Sequence, residues 1–328
     1  MHWCVEFCSL LYSQSFLQII SVMEGVVVKS TGSWYSVRIA RGVYIQCRIK
    51  GKFRMDGIKH TNPISVGDVV DFDMEEGREE GVIHKIHDRK NYIIRKASNL
   101  SKQTHILASN LDQAIVVASL VQPATSLGFI DRFLATAEAY HVPAIIIFNK
   151  SDLYGEALKD ILADTMSIYQ NIGYKVLLCS ATNKVGIEEL KALLIDRTTL
   201  FMGHSGVGKS TLLNALEPNL DLKTGEISNY SNKGKHTTTF AEMFDLSFGG
   251  NIIDTPGIKE LGVVDFDKRL VSHYFKEMKA LIGQCKFNDC QHVNEPGCVV
   301  MKAVMEGHIR EERYASYLSI LNNEDIFQ

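Results

Sequence analysis

Eight residues in a row, Gly203, His204, Ser205, Gly206, Val207, Gly208, Lys209 and Ser210, with Thr211 behind them, fit the pattern GxxxxGK[ST]. Such glycines let successive backbone N–H groups curl around phosphate oxygens, while Lys209 reaches the β and γ oxygens and the Ser210 hydroxyl can ligate Mg2+. The apolar run TTLFM precedes the motif and TLLNAL follows it, which is the strand–loop–helix setting this chemistry requires. A purely structural Gly-rich turn is the bland alternative, and that setting weighs against it.

A second group of residues concerns the base. Asn149, Lys150, Ser151 and Asp152 follow the apolar run AIIIF, at the C-terminal end of an expected strand, where open α/β sheets bind ligands. The Asp152 carboxylate can accept hydrogen bonds from N1–H and the exocyclic amine of guanine; adenine offers no such donor pair, so the motif selects GTP over ATP. Alone these four residues are weak, because Asn and Asp also cap strand-to-helix turns; beside a phosphate loop they are strong. Ser180, Ala181 and Thr182, after YKVLLC, resemble the loop that supports the guanine O6 through a backbone N–H.

Asp254-Thr-Pro-Gly257 follows the run NII, which sets Asp254 to hold Mg2+ through water and Gly257 to sense the γ-phosphate. Between this motif and the phosphate loop lies Gly234-Lys-His-Thr-Thr-Thr239 in a polar segment. It reads as a switch whose hydroxyl reaches Mg2+, from Thr238 or Thr237; the spacing leaves that choice open. In Ras-type enzymes a Gln after DxxG orients the attacking water, but here Ile258 stands there. His236 is the candidate for that task, as a neutral imidazole titrating near its working pH; capping or RNA contact is its bland reading. Lys209, Thr238 and His236 are therefore the candidate catalytic set.

The order of these motifs is informative. Ordinary GTPases run phosphate loop, switch, DxxG, NKxD, SA[KT], whereas here NKSD and SAT precede the phosphate loop. A circular permutation of this kind is physically allowed, because the site is built from loops at one edge of a sheet and adjacent termini can be rejoined.

Cys285, Cys290, His292 and Cys298 form a separate constellation. Three thiolates and one imidazole make a closed four-ligand set suited to one structural Zn2+ per chain. The Asn, Asp, Pro and Gly residues between them make turns, which argues against a metal-free buried thiol cluster. Cys4, Cys8, Cys47 and Cys179 read as small apolar residues or incidental thiols.

The elements that must position these groups fall into three zones. From Glu24 to about Lys96 short alternating runs (GVVVKS, WYSVRI, VYIQCRI, DVVDFDM, EEGVIHKI, NYIIR) predict five or six strands of a small barrel of OB-fold size. Basic residues cluster at Arg48, Lys50, Lys52, Arg54 and Lys59, and again at His84, Lys85, Arg89, Lys90, Arg95 and Lys96. With Phe53 and Tyr92 interleaved they suit a phosphate backbone and unstacked bases, or else a solvated barrel face. After Asn99 strands alternate with helices, the pattern of a parallel sheet covered on both faces; strands are expected at 113–121, 144–148, 175–179, 198–201, 239–246 and 251–253, and helices at 128–140, 156–171, 186–194 and 209–216. Beyond about Asp265 the chain is expected to be helical around the Cys/His set. The corresponding domain bounds are 1–22, 23–97, 98–265 and 266–328.

Composition agrees with this division. At 328 residues, 45% hydrophobic and 22% charged, the chain is soluble-globular in make-up and too long for one domain of ~150 residues. Thirty-five Lys and Arg against thirty-eight Asp and Glu, a net charge of −3, exclude a polybasic protein and require any polyanion to be met locally. Seven scattered cysteines fit a reducing cytoplasm better than a disulfide framework. Residues 1–22 are apolar but interrupted by Glu6, Ser and Gln, with no Lys or Arg before Lys29, which fits neither a transmembrane helix nor a signal peptide. They read as an appendage ahead of a folded start near Met23, or as an amphipathic docking helix.

Taken together, ASNLDQ, NKSDL, GHSGVGKST, GKHTTT, DTPG and the Cys/His set resemble the ribosome small-subunit-dependent GTPase family, the circularly permuted bacterial GTPases of 30S subunit maturation. The resemblance runs from Met23 to near the end, in domain order as well as motif order; Lys235 stands where a similar loop often has Arg. It implies an OB barrel, a permuted α/β GTPase and a small helical zinc domain; Zn2+ and Mg2+ as cofactors; GTP and GDP, the 30S subunit and 16S rRNA as partners; and no membrane. A cytoplasmic location follows from the cysteine usage, and a monomer is the simpler expectation for a factor that docks on an asymmetric particle. The resemblance also implies slow intrinsic hydrolysis stimulated by the subunit and coupled to release. The missing Gln keeps a rival open, a nucleotide-gated RNA-binding adaptor with incidental hydrolysis; a phosphate-loop ATPase is a weaker third reading.

Overall fold

The computed structural model describes residues 22–49, 63–75, 77–96, 104–220, 241–254 and 267–322. The readings made for residues 1–21, for Lys50, Lys52, Arg54 and Lys59, for His236, Thr237 and Thr238 and for Gly257 lie outside the described residues.

Strands β1 (Met23–Ser30), β2 (Tyr35–Ala40), β3 (Val43–Ile49), β4 (Val69–Met74) and β5 (Glu80–Ile86) form the barrel. Period-two alternation turns Val27, Tyr35, Val37, Cys47, Val70, Phe72 and Ile83 inward with Ile64. The strands run β1-β2-β3-β5-β4, and β4 pairs back to β1, which closes the circuit in the order of an OB-fold. Closure at five strands is possible because β1 is long and irregular: Met23–Val26 pair with β4, while Val26–Ser30 pair with β2 across a register shift. The sixth run, NYIIR, lies outside that circuit. As β6 (Tyr92–Lys96) it instead pairs antiparallel with β7 (Thr104–Ser109), a strand that the sequence pattern did not disclose.

The second zone is a twisted sheet of β8 (Gln113–Ala118), β9 (Ala144–Phe148), β10 (Lys175–Leu178), β11 (Thr198–Met202), β12 (Glu242–Asp245) and β13 (Asn251–Asp254). Its order is β10-β9-β8-β11-β13-β12; the first five are parallel and β12 is antiparallel. Along β8, Ala114, Val116 and Ala118 face α1 (Leu127–Ala139) and α2 (Glu156–Asn171), while Ile115 and Val117 face α3 (Ile187–Leu194) and α4 (Lys209–Leu216). The chain steps outward from β8 to β10, then returns to the other side of β8 as β11. That reversal is the switch point where doubly wound sheets open a crevice.

After a turn of 3-10 helix at Lys268–Tyr274 come α5 (Lys276–Lys279), α6 (Val299–Met305) and α7 (Glu311–Asn322). Their core of Val271, Phe275, Met278, Val300, Tyr317 and Ile320 also takes in Ala135 of α1. The barrel meets the sheet where Lys29 pairs with Glu242 in register and by a 3.0 Å ion pair. Arg38 reaches Asp245 and, at 2.6 Å, Asn251. Among the described residues no helix is long and apolar enough to cross a membrane.

Candidate functional site

The phosphate loop leaves β11 at Met202 and enters α4 at Lys209. Gly208 caps the helix at φ 93°, a left-handed conformation, and a β-carbon there would lie 2.5 Å from Asn149 Nδ2; only glycine suits this position. The Lys209 ammonium, nearly buried, donates to the carbonyls of Gly203 at 2.6 Å and His204 at 3.0 Å. Burial lowers the Lys209 pKa, partly offset by Asp254, so an anion in the loop would be attracted to a poorly solvated cation. Ser210 is buried beside it and Thr211 is exposed; both lie in the first turn of α4, whose N–H groups and dipole favour an anion. Asp254 ends β13 in register with Phe201, one residue before Met202.

Asn149, Lys150 and Asp152 stand at the end of β9. Asn149 is buried and its Nδ2 donates to the Val207 carbonyl at 3.0 Å. Lys150, left-handed at φ 64°, turns its ammonium onto the carbonyls of Gly206, at 2.7 Å, and Gln122. Asp152, in a one-turn 3-10 helix at Ser151–Leu153, accepts a 2.5 Å hydrogen bond from the buried Ser180 hydroxyl. The Ser180 oxygen in turn accepts the Asn183 N–H at 3.0 Å, and half-buried Ala181 packs on the core under α3 and α4. Tyr154, which the sequence reading missed, donates to the Asn149 carbonyl at 2.5 Å and takes the Leu120 N–H at 3.0 Å. Its hydroxyl pins the loops after β8 and β9 together, and only their packing reveals it.

His204 enters the phosphate-loop reading only as a variable position of the motif, and the loop after β8 is not marked by type or spacing. The His204 ring lies on Phe129 of α1, with centroids 3.8 Å apart and planes tilted 35°. Burial, then the Lys209 charge, lowers the His204 pKa and favours its neutral form.

The Cys/His set converges as its spacing predicts. Its four ligand atoms lie within 4.8 Å of one another and can hold a metal ion. Cys298 Sγ is 3.4 Å and Cys285 Sγ 3.6 Å from His292 Nδ1, and the two sulfurs are 4.0 Å apart. Zn–S bonds of ~2.3 Å in a tetrahedron put sulfurs about 3.8 Å apart, so the donor set fits Zn2+. Glu295 organises the intervening loop by accepting the N–H groups of Gln291 at 2.8 Å, Val293 at 2.8 Å and Asn294 at 3.0 Å. Burial works against its charge, but these N–H groups prevail and hold its pKa at about 2. Tyr314 and Tyr317 of α7 donate to the carbonyls of His292, at 2.7 Å, and Gln291, at 2.5 Å.

Among the described side chains of the second basic cluster, three cations are paired with carboxylates of the fold. Arg89 grips buried Asp68 with two 2.6 Å bonds, Lys90 meets Asp112 at 2.5 Å, and Lys85 meets Asp71 at 3.3 Å. Arg48 of the first cluster pairs with Glu75 at 2.6 Å. The barrel instead turns Trp34 and Tyr44 to solvent, 38% and 48% exposed. Both stand in runs whose alternation predicts strands, which does not show their exposure.

Comparison with known proteins adds three findings. Residues 24–83 match the RsgA N-terminal domain and residues 86–264 match the RsgA GTPase family model. The small ribosomal subunit biogenesis GTPase RsgA of Flavobacterium psychrophilum is 56% identical over 305 residues, 92% of this chain and 94% of that protein. The protein of the same name from Bacteroides fragilis is 52% identical over 305 residues, 92% of this chain and 97% of that one. Among solved structures, YjeQ from Thermotoga maritima superposes with a TM-score of 0.74 at 35% identity, covering 92% of this chain and 98% of that one. YloQ, a circularly permuted GTPase, gives 0.69 at 30% identity, with 92% and 94% covered.

Proposed function

This chain belongs to the RsgA GTPase family and is a GTPase, and from that membership we propose that it binds the 30S ribosomal subunit and 16S rRNA late in subunit maturation. Hydrolysis is stimulated by the subunit and coupled to release of the GDP form. The barrel (23–97) and the Cys/His module (266–328) grip rRNA, and the permuted domain (98–265) controls the grip. The protein works as a cytoplasmic monomer.

The observation that carries the reading is the convergence of three motifs from separate stretches of chain. Asn149 is bonded to Val207, Lys150 to Gly206 and Asp152 to Ser180, all at one edge of the parallel sheet. In this reading Gly203–Thr211 wrap the phosphates, Asn149, Lys150, Ser180 and Ala181 frame the base, and Asp152 selects guanine. A carboxylate has about four acceptor sites, so the bond from Ser180 leaves capacity for two guanine donors. Ser210, Asp254 and Thr238 or Thr237 hold Mg2+, which when bound neutralises phosphate charge; Lys209 draws the γ-phosphate, Gly257 senses it and His236 orients water. Cys285, Cys290, His292 and Cys298 hold Zn2+, which ties the loop ahead of α6 to its own ends.

GTP turnover with 30S subunits, 50S subunits or neither, at fixed salt, tests the reading. Selective stimulation by 30S is expected, with His236→Ala losing it. Unchanged turnover with intact GTP-dependent binding would favour the adaptor reading, to which Ile258 in place of Gln lends support.

A further inference from the structure

The first half of the phosphate loop stands between two pivots. Gly203 has φ 151° and Gly206 φ 83°, conformations that favour glycine, and His204 and Ser205 lie between them. Helix α1 packs against this stretch. Ser126 caps that helix by accepting the Phe129 N–H at 3.3 Å, and Phe129, 3% exposed, lies in ring contact with His204 at 3.8 Å. The carbonyl of His204 is one of the two that receive Lys209, so the stack bears on the group that meets the phosphates.

Two residues further along α1, Asp131 is wholly buried and accepts Arg313 of α7 at 2.7 Å and the Tyr169 hydroxyl at 3.0 Å. Arg313 is 2% exposed, and its other edge holds Glu277 of α5 at 2.7 Å and 3.2 Å. The guanidinium also lies over the Phe275 ring at 4.6 Å. On the same helix as Arg313, Tyr314 and Tyr317 bind the carbonyls beside the metal ligands. A buried charge pair resists sliding, because any shift that parts it leaves an unpaired charge in the interior. The helix is thus gripped at one point by the phosphate loop and at another by the C-terminal helices.

We infer that Phe129 is a positioning residue for the phosphate loop, and that the Asp131–Arg313 pair, acting through α1, sets where its ring meets His204. The inference rests on the GTPase reading of the loop. Because Phe129 and Arg313 act in series, their effects on nucleotide binding must not be independent, although the two side chains serve different cores.

The test is a double-mutant cycle on the full chain with Phe129→Leu, which keeps apolar bulk but no flat ring, and Arg313→Lys, which keeps charge but no fork. GTP affinity is read with a fluorescent GTP analogue and stability by thermal melting. Phe129→Leu should weaken GTP about threefold to tenfold, the worth of an aromatic pair. Arg313→Lys should weaken it in the parent and add almost nothing to Phe129→Leu, while the losses in melting temperature add. Phe129→Tyr, which keeps the ring, should bind GTP within about twofold of the parent. Independent, multiplying effects on affinity would overturn the inference, as would a change in stability alone. If Arg313→Lys fails to fold, Glu277→Gln, which frees the other edge of the guanidinium, replaces it in the same cycle. A parent protein that does not bind GTP would sink the GTPase reading, whereas normal parental binding with unaltered variants sinks only this inference.

Discussion

The Ser180 hydroxyl donates a 2.5 Å hydrogen bond to the Asp152 carboxylate, across 28 residues of sequence. The bond joins the loop after β10 to the loop after β9, so the two elements that the proposed function assigns to a guanine ring are held as one unit. Orientation of the carboxylate is thereby fixed before any base arrives, which spares ordering cost on binding.

Replacing Ser180 by Ala removes two hydrogen bonds, the one to Asp152 and the one from the Asn183 N–H; with the carboxylate no longer oriented, GTP affinity should fall about threefold to tenfold. On the proposed base assignment Asp152→Asn loses two charge-assisted bonds to guanine, each worth about 1.5–3 kcal/mol, and affinity should fall at least about a hundredfold. Asparagine presents an amide donor where xanthine presents a carbonyl, so xanthosine triphosphate should gain. Competition between the two nucleotides measures it; an Asp152→Asn protein that still prefers GTP would refute the base assignment.

Gly208→Ala places a β-carbon 2.5 Å from Asn149 Nδ2 in a residue at φ 93°. The left-handed backbone costs about 1–2 kcal/mol with a side chain, and the Asn149–Val207 tether must also move. Isothermal titration should find GTP binding abolished in a protein whose sheet still melts cooperatively. Binding equal to the parent would show that the tether is dispensable.

Metal analysis should find about one Zn2+ per chain, and Cys290→Ser should lose most of it. Glu295→Gln keeps all four ligands but weakens the acceptor of three backbone N–H groups. It should release metal to a chelator several-fold faster. Stripping the metal should change the near-ultraviolet signal of Tyr314 and Tyr317 while the parallel sheet stays folded. A folded, metal-free preparation with that signal intact would contradict the assignment.

Acid should expose the junction at Asp112. Burial opposes its charge, but the Lys90 ammonium at 2.5 Å and the Thr198 N–H at 2.7 Å prevail and lower its pKa. With the folded value below the ordinary ~3.9, the stabilisation is present above that ordinary value and is lost as pH falls through the folded one. Urea midpoints of the parent should therefore drop below about pH 4, and Asp112→Asn should flatten that limb. An identical acid limb in the two proteins would remove Asp112 from the account.

Much of the sheet was legible because each strand carries its own period and each helix its own boundary. The helices expected at 156–171 and 209–216 coincide with α2 and α4. The strand expected to run to Val121 stops at Ala118, where Ser119 turns its hydroxyl to the Val121 carbonyl at 2.6 Å. The hairpin of β6 and β7 was half legible: NYIIR reads as a strand, but nothing local says which edge it seeks. Charge was least legible, since Arg89 looks free to meet phosphate until Asp68 is brought beneath it.

The sequence alone determined the permuted order of the motifs and the spacing of a Gly-rich loop, of NKSD and of a Cys/His set that could hold a metal, and these are what the proposed chemistry rests on. Those properties reside in short contiguous stretches, where glycine conformation and ligand spacing are local requirements. Tertiary structure alone decided which cations remain exposed, that Phe129 lies on His204, and that Arg313 joins Asp131 across 182 residues of sequence. Such pairings depend on how whole helices and sheets pack, and packing is set by the summed burial of many ordinary residues. No single position along the chain carries that information.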